Sequence, residues 1–113
     1  MNKKIAVPTD ITGELDAHFG HCKFFEIFEI EGDNIISAKK VVPPPHEPGV
    51  LPKWLAEIGA TDILAGGMGN KAIQIFNQYG VNVFVGAPQL KSRKLVEGYL
   101  NKTIGFSANY CDH

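Results

Sequence analysis

The chain lacks the strong net positive charge that is typical of nucleic-acid-binding proteins. It also lacks the long apolar runs that are typical of membrane-spanning proteins. Its 113 residues carry 11 basic and 12 acidic side chains, for a net charge of −1. Proteins that bind nucleic acid usually present a strongly basic face, so we expect no nucleic-acid partner. No apolar run approaches the roughly 18–20 residues that a membrane-spanning helix needs, so we expect no membrane span. With 44% hydrophobic residues, the chain has enough apolar side chains for a packed core.

Cysteine is also scarce, with two residues in the whole chain. The start of the chain, Met1 to Val7, is basic and then apolar, but its apolar part is far too short for the hydrophobic segment of a signal peptide. We therefore expect a cytoplasmic protein, in which thiols stay reduced. In such a compartment the two cysteines are interpreted more readily as ligands, or as residues without a special role, than as a disulfide.

Hydrophobic periodicity predicts five strands and three helices. Runs of aliphatic, aromatic and β-branched residues predict strands at 5–7, 24–30, 35–42, 62–65 and 81–85. Apolar residues three and four positions apart predict helices over 50–58 and 72–79, each closed by a glycine, and a third helix with Pro88 in its first turn. The order β-β-β-α-β-α-β-α predicts an α/β fold with a five-stranded mixed sheet and helices packed on it. We expect one domain, residues 1–103, followed by a C-terminal tail, residues 104–113.

Chain direction predicts that several loops meet at one edge of this sheet. Helical connections make strands one, four and five parallel, while strand two runs antiparallel to strand one and a hairpin returns strand three. The loop after strand one, the proline-rich loop and the loop after strand four then open on the same edge. Open α/β sheets bind ligands outside the carboxyl ends of their strands, so we expect a site there. This placement makes His46, in the proline-rich loop, a candidate metal ligand.

Imidazole and thiol groups are concentrated in two short segments. The first holds His18, His21 and Cys22, and the second holds Cys111 and His113. These are the side chains that bind zinc, copper, iron and iron–sulfur species, so both segments predict metal ligands. Neither segment has zinc-finger spacing, which favours a few exposed ligands over a closed cage of four. Two simpler interpretations stay open, namely surface histidines with a small buried cysteine, and a solvated tail.

The loop after the fourth strand is rich in glycine. Gly66, Gly67, Met68 and Gly69 precede a helix, and free amide groups at a helix N-terminus favour a negatively charged ligand. An iron–sulfur or iron–molybdenum cluster is anionic, so these four residues are candidate contacts for a cluster, and a phosphate would fit as well. The segment matches a dinucleotide fingerprint only in part, because no acidic residue ends the next strand. A tight turn that needs glycine for its backbone is the simpler alternative.

Two enzymatic interpretations have weaker support. In one, Cys22 acts as a nucleophile with His18 or His21 as its base. In the other, carboxylates such as Asp10 hold two metal ions for hydrolysis, which needs several acidic groups on one edge. Asp62 begins strand four and so lies at the opposite edge. We therefore expect a protein without catalytic activity.

Taken together, these segments resemble the dinitrogenase iron–molybdenum cofactor biosynthesis family. The resemblance rests on Ile5 to Thr9, on His18-Phe19-Gly20-His21-Cys22 followed by Phe24-Phe25, on the Gly66 to Gly69 turn and on the cysteine-bearing tail. It implies a ribonuclease H-like three-layer fold without the nuclease carboxylates. Carried over by position, it makes His18, His21 and Cys22 candidate contacts for the cofactor.

The predicted function is therefore that of a small, non-catalytic carrier in cofactor biosynthesis for nitrogen fixation. Its cargo would be an iron–sulfur-type cluster, or the iron–molybdenum cofactor or its precursor. The expected partners are a protein that donates the cluster and one that accepts it, together with weak homo-oligomer formation. Two alternatives stay open. One is an assembly module without metal, whose sheet edge or last helix pairs subunits, and the other is a thiol enzyme that uses Cys22.

Overall fold

The structure is a computed structural model that describes residues 2–17, 19–45, 47 and 49–110, with only the backbone at position 21. Within these residues, six strands form a single sheet, and three α-helices and one short 3-10 turn, Phe19–His21, accompany it. The strands are β1 (Asn2–Thr9), β2 (Phe24–Glu31), β3 (Asn34–Val41), β4 (Asp62–Leu64), β5 (Asn82–Val85) and β6 (Ala108–Tyr110), and the helices are α1 (Val50–Glu57), α2 (Asn70–Gln78) and α3 (Ser92–Leu100).

The sheet is mixed, and its strands lie in the order β3-β2-β1-β4-β5-β6. β1, β4 and β5 are parallel neighbours, whereas β2 is antiparallel to β1 and β3 is antiparallel to β2. The predicted α/β fold with helices packed on a mixed sheet is therefore confirmed. The predicted number of five strands is wrong, because β6 pairs antiparallel with β5 inside the segment that we assigned to the tail. β6 has three residues, too few to produce a recognisable hydrophobic pattern in the sequence.

Helices cover both faces of the sheet because the side chains of each strand alternate between the faces. On one face, Leu51 and Leu55 of α1 and Phe76 of α2 pack on Ala6 and Ile63 in what we call the first core. On the other face, α3 packs on the second core, which contains the buried side chains Ile5, Val7, Leu15, Phe28, Ile30, Leu64, Leu95 and Val96. None of the helices within the described ranges is long and apolar enough to cross a membrane.

The first half of the loop after β1 is held against the segment before α3. The backbone N–H of Leu15 donates to the Leu90 carbonyl at 2.9 Å, and that of Ser92 donates to the Gly13 carbonyl at 3.0 Å. The Lys91 ammonium donates to the Thr12 carbonyl at 2.6 Å. Because these contacts hold the chain extended up to Lys91, α3 begins at Ser92, and the prediction that Pro88 lies in its first turn is wrong.

Candidate functional site

The loops that follow β1 and β4 meet at the carboxyl edge of the parallel strands. The backbone at Gly66 packs on the first of these loops so closely that a β-carbon there would lie 3.6 Å from Cα of Ala17 and 3.6 Å from Cδ2 of Leu15. A β-carbon at Gly67 would lie 4.0 Å from the Ala17 carbonyl oxygen. The glycine-rich loop therefore lies against the residue that directly precedes His18 in the chain.

A shallow open pocket of about 260 Å³ lies where these loops meet the beginnings of two helices. The 3-10 turn, the end of the proline-rich loop, α1 and α2 all contribute to its wall, through Phe19, Gly20, Glu47, Gly49, Leu51, Pro52 and Ala72. Larger grooves lie elsewhere, such as one of about 510 Å³ between α3 and the β2–β3 turn, but no residue from the starts of α1 and α2 is in its described lining. We call the pocket of about 260 Å³ the edge pocket.

Two helix N-termini contribute to the edge pocket, and neither has a capping side chain among the described residues. α1 begins after Gly49 and α2 after Gly69, and neither helix has an acidic residue in its first turn. The first N–H groups of a helix have no partner within the helix and carry a partial positive charge. In α1 the N–H of Val50 donates to the Glu47 carbonyl at 3.1 Å and Pro52 has no N–H, so α1 offers fewer free N–H groups than α2. Ala72 occupies the third helical position of α2 and also lines the pocket. The start of α2 thus offers N–H groups to an anion at a largely apolar wall, whose described lining also includes the acidic Glu47.

Phe19 anchors the 3-10 turn beside the edge pocket. Its side chain is only 6% exposed and belongs to the first core. Its ring meets those of Phe25 and Phe76 edge to face, with ring centroids 5.5 and 5.6 Å apart. An edge-to-face arrangement is the preferred geometry of aromatic pairs. The ring therefore connects the turn to β2 and to α2.

Cys22 lies in the first core rather than at the surface, with 4% of its area exposed. Burial in these apolar surroundings, together with the negative charge of Asp16, raises the pKa of the Cys22 thiol to about 12. A metal ligand or a nucleophile has to be a thiolate. In the protein without metal, the Cys22 thiol is therefore buried and protonated.

The carboxylates that the hydrolase interpretation would need have structural roles. Oδ1 of Asp10 accepts hydrogen bonds from the backbone N–H and the hydroxyl of Thr12, at 2.8 and 2.6 Å, and from the N–H of Glu14 at 3.2 Å. The hydroxyl of Thr12 is the main cause that holds the pKa of Asp10 below its ordinary value. Glu26 accepts a hydrogen bond from the buried hydroxyl of Ser92. These two carboxylates stabilise a turn and the start of α3.

Several predicted site residues lie outside the described part of the chain. These are His18, the side chain of His21, His46, Cys111 and His113. Within the described part, no group of three or more histidines, cysteines and acidic residues could hold a metal ion. Of the predicted glycine-loop contacts, Gly67 and Gly69 are exposed, Gly66 is half-buried, and Met68 packs against the first core.

The direction of β6 separates the end of the described chain from the edge pocket. Ala108 pairs with Val85 at the carboxyl end of β5, whereas Tyr110 pairs with Val83, so the strand runs away from that edge. The carbonyl of Tyr110 accepts a hydrogen bond from the Asn77 amide at 3.1 Å, near the C-terminal end of α2. The described chain thus ends at Tyr110, away from the carboxyl edge of the parallel strands.

Comparison with known proteins identifies the family of this chain. The sequence model of the family described as dinitrogenase iron-molybdenum cofactor matches residues 1–102. The chain belongs to this family. The protein MJ0580 of Methanocaldococcus jannaschii is 32% identical to the chain over 87 residues, which cover 72% of each protein.

Solved structures have the same fold as this family member. The crystal structure of PH0822 superimposes with a TM-score of 0.84 at 27% identity, covering 92% of the present chain and 94% of PH0822. The apo form of the orange protein from Desulfovibrio gigas superimposes with a TM-score of 0.77 at 25% identity, covering 94% and 93% of the two chains.

The sequence did not point to the apolar wall of the edge pocket. Leu51, Pro52 and Ala72 look like ordinary helix residues, because their position in the pocket wall depends on how α1 and α2 pack together. A weak signal was present, since both helices follow a glycine at a position where a capping serine, threonine or aspartate is common.

Proposed function

We propose that the protein is a non-catalytic carrier that binds an anionic metal–sulfur cargo at the edge pocket. The cargo is an iron–sulfur-type cluster, or the iron–molybdenum cofactor or its precursor. The observation that carries the proposal is the meeting of two helix N-termini without capping side chains at one open pocket. The glycine-rich loop leads into the second of these helices and packs on the loop after β1. Backbone N–H groups in such a position favour negative charge without binding it irreversibly, which suits a protein that has to release what it binds.

Membership of the family supports this choice of cargo over a phosphate. The family description names the iron–molybdenum cofactor of dinitrogenase. The structure of the orange protein is that of an apo form, which is a protein without the group that it binds. The ribonuclease H-like assignment of the fold is part of this proposal and rests on the family resemblance.

Histidines supply the proposed ligands from the protein. His18 and His21 flank Phe19 and Gly20, which line the edge pocket, and His46 precedes Glu47, which also lines it. Imidazole binds iron well. Cys22 is not placed among the ligands here, because its thiol is buried in the first core. The same burial argues against the thiol enzyme.

The wider setting follows from the carrier role. We propose that the protein acts in the cytoplasm, in cofactor biosynthesis for nitrogen fixation, between a donor and an acceptor of the cluster. A carrier with an open, shallow site exchanges its cargo by contact with these partners. Weak self-association is part of the proposal, and light scattering with and without cargo measures it.

Loading the purified protein with cargo tests the proposal. The protein is prepared without oxygen and offered reconstituted iron–sulfur cluster, or separately the extracted iron–molybdenum cofactor. Bound iron, molybdenum and sulfide are measured after desalting. Stoichiometric retention of either cargo is the expected result. If neither is retained, the carrier function is wrong and the assembly module takes its place.

A negative charge placed at position 72 tests whether the cargo is bound at the start of α2. Ala72→Glu puts a carboxylate at the third helical position of α2, where it stabilises the helix by about 0.3–1 kcal/mol through the helix dipole. The same carboxylate should repel an anionic cargo and lower its retention about tenfold or more, which corresponds to roughly 1.4 kcal/mol.

The control for this variant is Ala72→Gln, which has nearly the same shape without the charge. It should retain much more cargo than Ala72→Glu, while both variants keep the unfolding temperature of the wild type or raise it. Equal retention by the two variants would show that the cargo is bound away from the start of α2, or that its charge has no part in binding.

A further inference from the structure

The 3-10 turn Phe19–His21 is fastened to the protein by two side chains three positions apart. Phe19 is the first residue of the turn, and Cys22 directly follows its last residue. Phe19 and Cys22 are both buried in the first core, at 6% and 4% exposure. The turn is therefore held by one buried side chain at its start and by another directly after its end.

Phe19 packs on two elements beside the edge pocket, and Cys22 belongs to the same buried cluster as its partners. The ring of Phe19 packs edge to face on Phe76 of α2, the helix whose first turn contributes Ala72 to the pocket. It packs in the same way on Phe25 of β2. Cys22 ends the loop two residues before β2 begins, and it joins the same buried cluster.

The position of Cys22 separates its sulfur from the edge pocket. Phe19 and Gly20 belong to the described lining of the pocket, whereas Cys22 does not. A residue of this kind affects a bound group by holding the residues around it in place, as outer-shell partners of metal ligands do. In its apolar surroundings, the Cys22 side chain can hold the end of the loop in place by packing as a small apolar side chain.

We propose that Phe19 and Cys22 are positioning residues, which together form an apolar two-point anchor for the turn at the edge pocket. Cys22 acts through packing and not through its sulfur. The inference rests on the proposed function for the cargo that the turn helps to bind, but the anchor itself is a property of the protein without cargo. It assigns the cysteine of the His-Phe-Gly-His-Cys segment a role other than metal ligation.

Substitutions at the two positions test the anchor through retention of reconstituted iron–sulfur cluster. Phe19→Leu keeps an apolar side chain but loses both ring contacts, and it should lower cluster affinity about tenfold. The matched control is Phe28→Leu, which changes a fully buried phenylalanine of β2 on the opposite face of the sheet. Phe28→Leu should lower the unfolding temperature at least as much as Phe19→Leu does. It should not lower cluster affinity, when the affinities of both variants are measured well below their unfolding temperatures.

Two substitutions of the cysteine separate packing from ligation. Cys22→Ala and Cys22→Ser both remove the sulfur, but only serine places a hydroxyl in the apolar core, which disfavours the buried position. The anchor predicts that Cys22→Ala retains clearly more cluster than Cys22→Ser. Equal and complete loss of cluster in both variants would overturn the proposal, because it is the result expected of a sulfur ligand.

Hydrogen exchange without cargo distinguishes a failed anchor from a failed carrier function. In Phe19→Leu, amide exchange at residues 17–23 should become about tenfold faster than any change in the most protected amides explains, since those amides report global unfolding. In Phe28→Leu, exchange at residues 17–23 should show no such additional increase. If the wild type binds no cluster, the carrier function fails while this measurement still decides the anchor. Unchanged exchange at residues 17–23 in Phe19→Leu would contradict the anchor whatever the cargo does.

Discussion

At the scale of single residues, Cys22 shows how a chemical group takes its properties from its surroundings. In the sequence it stands beside His21 and looks like part of a ligand set. In the structure it is 4% exposed and packs with Phe19 in the first core. A free cysteine in such a place behaves as a small apolar side chain. The place of Cys22 in the core could not be predicted from the residues beside it in the chain.

The raised pKa of Cys22 predicts a dependence of stability on alkaline pH. The pKa of this thiol is about 12 in the folded protein, against 9.0 for an ordinary cysteine. Because the folded state holds the proton more tightly, the contribution of Cys22 to stability is fully present below pH 9 and is lost as the pH rises towards 12. Urea unfolding at several pH values should therefore show a loss of stability over this range that is smaller in Cys22→Ala.

Thiol labelling gives an independent check on the same residue. At pH 8 iodoacetamide should modify Cys22 far more slowly in the folded protein than in urea, since reaction needs an accessible thiolate. Mass spectrometry separates the peptide of Cys22 from that of Cys111. Rapid labelling of Cys22 in the folded protein would show that the thiol is exposed or ionised, against the structure.

At the scale of elements, the starts of α1 and α2 carry more functional information than their apolar faces do. Both faces were predictable, because apolar residues recur at helical spacing and pack on the sheet. The N-termini became informative only when residues of both were found to line one pocket. An uncapped helix start is ordinary, whereas two of them beside an open pocket are the feature on which the proposed anion site rests.

The segment that leads to β6 depends on Gly86 for its close approach to β5. Gly86 has φ of +80°, and a β-carbon there would lie 2.0 Å from Oγ and 2.7 Å from the backbone N of Ser107. Gly86→Ala should therefore add a steric cost of about 1–3 kcal/mol to a backbone strain of about 1–2 kcal/mol. The free energy of unfolding in urea measures the sum.

Gly13→Ala is the matched control for this substitution. Gly13 has φ of +88°, but no atom lies within 4 Å of the place that a β-carbon would take. This variant should be destabilised only by the backbone strain of about 1–2 kcal/mol. Equal losses in the two variants would mean that the contact between Gly86 and Ser107 contributes nothing, and that β6 is held elsewhere.

At the scale of the whole molecule, the segment after α3 belongs to the folded unit. Ile104 and Phe106 pack against the second core, and the ring of Phe106 lies 5.6 Å from that of Phe84 of β5. Gly98 of α3 leaves room for Ile104, since a β-carbon at Gly98 would lie 2.2 Å from its Cδ1. The segment therefore completes one face of the sheet before β6 extends its edge.

Two truncations of the chain test this arrangement. A chain that ends at Thr103 loses Ile104, Phe106 and β6, and should be less stable by several kcal/mol, since truncation of a single large buried side chain costs about 2–5 kcal/mol. A chain that ends at Tyr110 keeps all of these contacts and should unfold at the temperature of the full chain. Thermal unfolding followed by circular dichroism compares the three proteins.

The truncation after Tyr110 also tests the predicted ligands in the tail. The chain that ends at Tyr110 lacks Cys111 and His113, yet it should retain reconstituted iron–sulfur cluster, because β6 runs away from the edge pocket. A loss of cluster in this protein, without a change in stability, would show that the tail does supply ligands.

The sequence by itself determined the local elements and the direction of the main strands. The apolar spacings that predicted α1 and α2, and the alternation that predicted β2 and β3, are properties of neighbouring residues along the chain. Strand direction followed from the connections, since a helix between two strands makes them parallel. The meeting of the Gly66 loop with the loop after β1 could therefore be predicted from the order of strands and helices alone.

Only the tertiary structure decided what depends on residues that are distant in the chain. Burial of Cys22, the edge pocket between α1 and α2, the start of α3 at Ser92 and the pairing of β6 all result from contacts across tens of residues. Such contacts leave no periodic pattern in the sequence, because packing selects for shape and volume at each position rather than for a repeated residue type. The chemistry of the His-Phe-Gly-His-Cys segment was visible in the sequence, but which of its side chains support the fold was not.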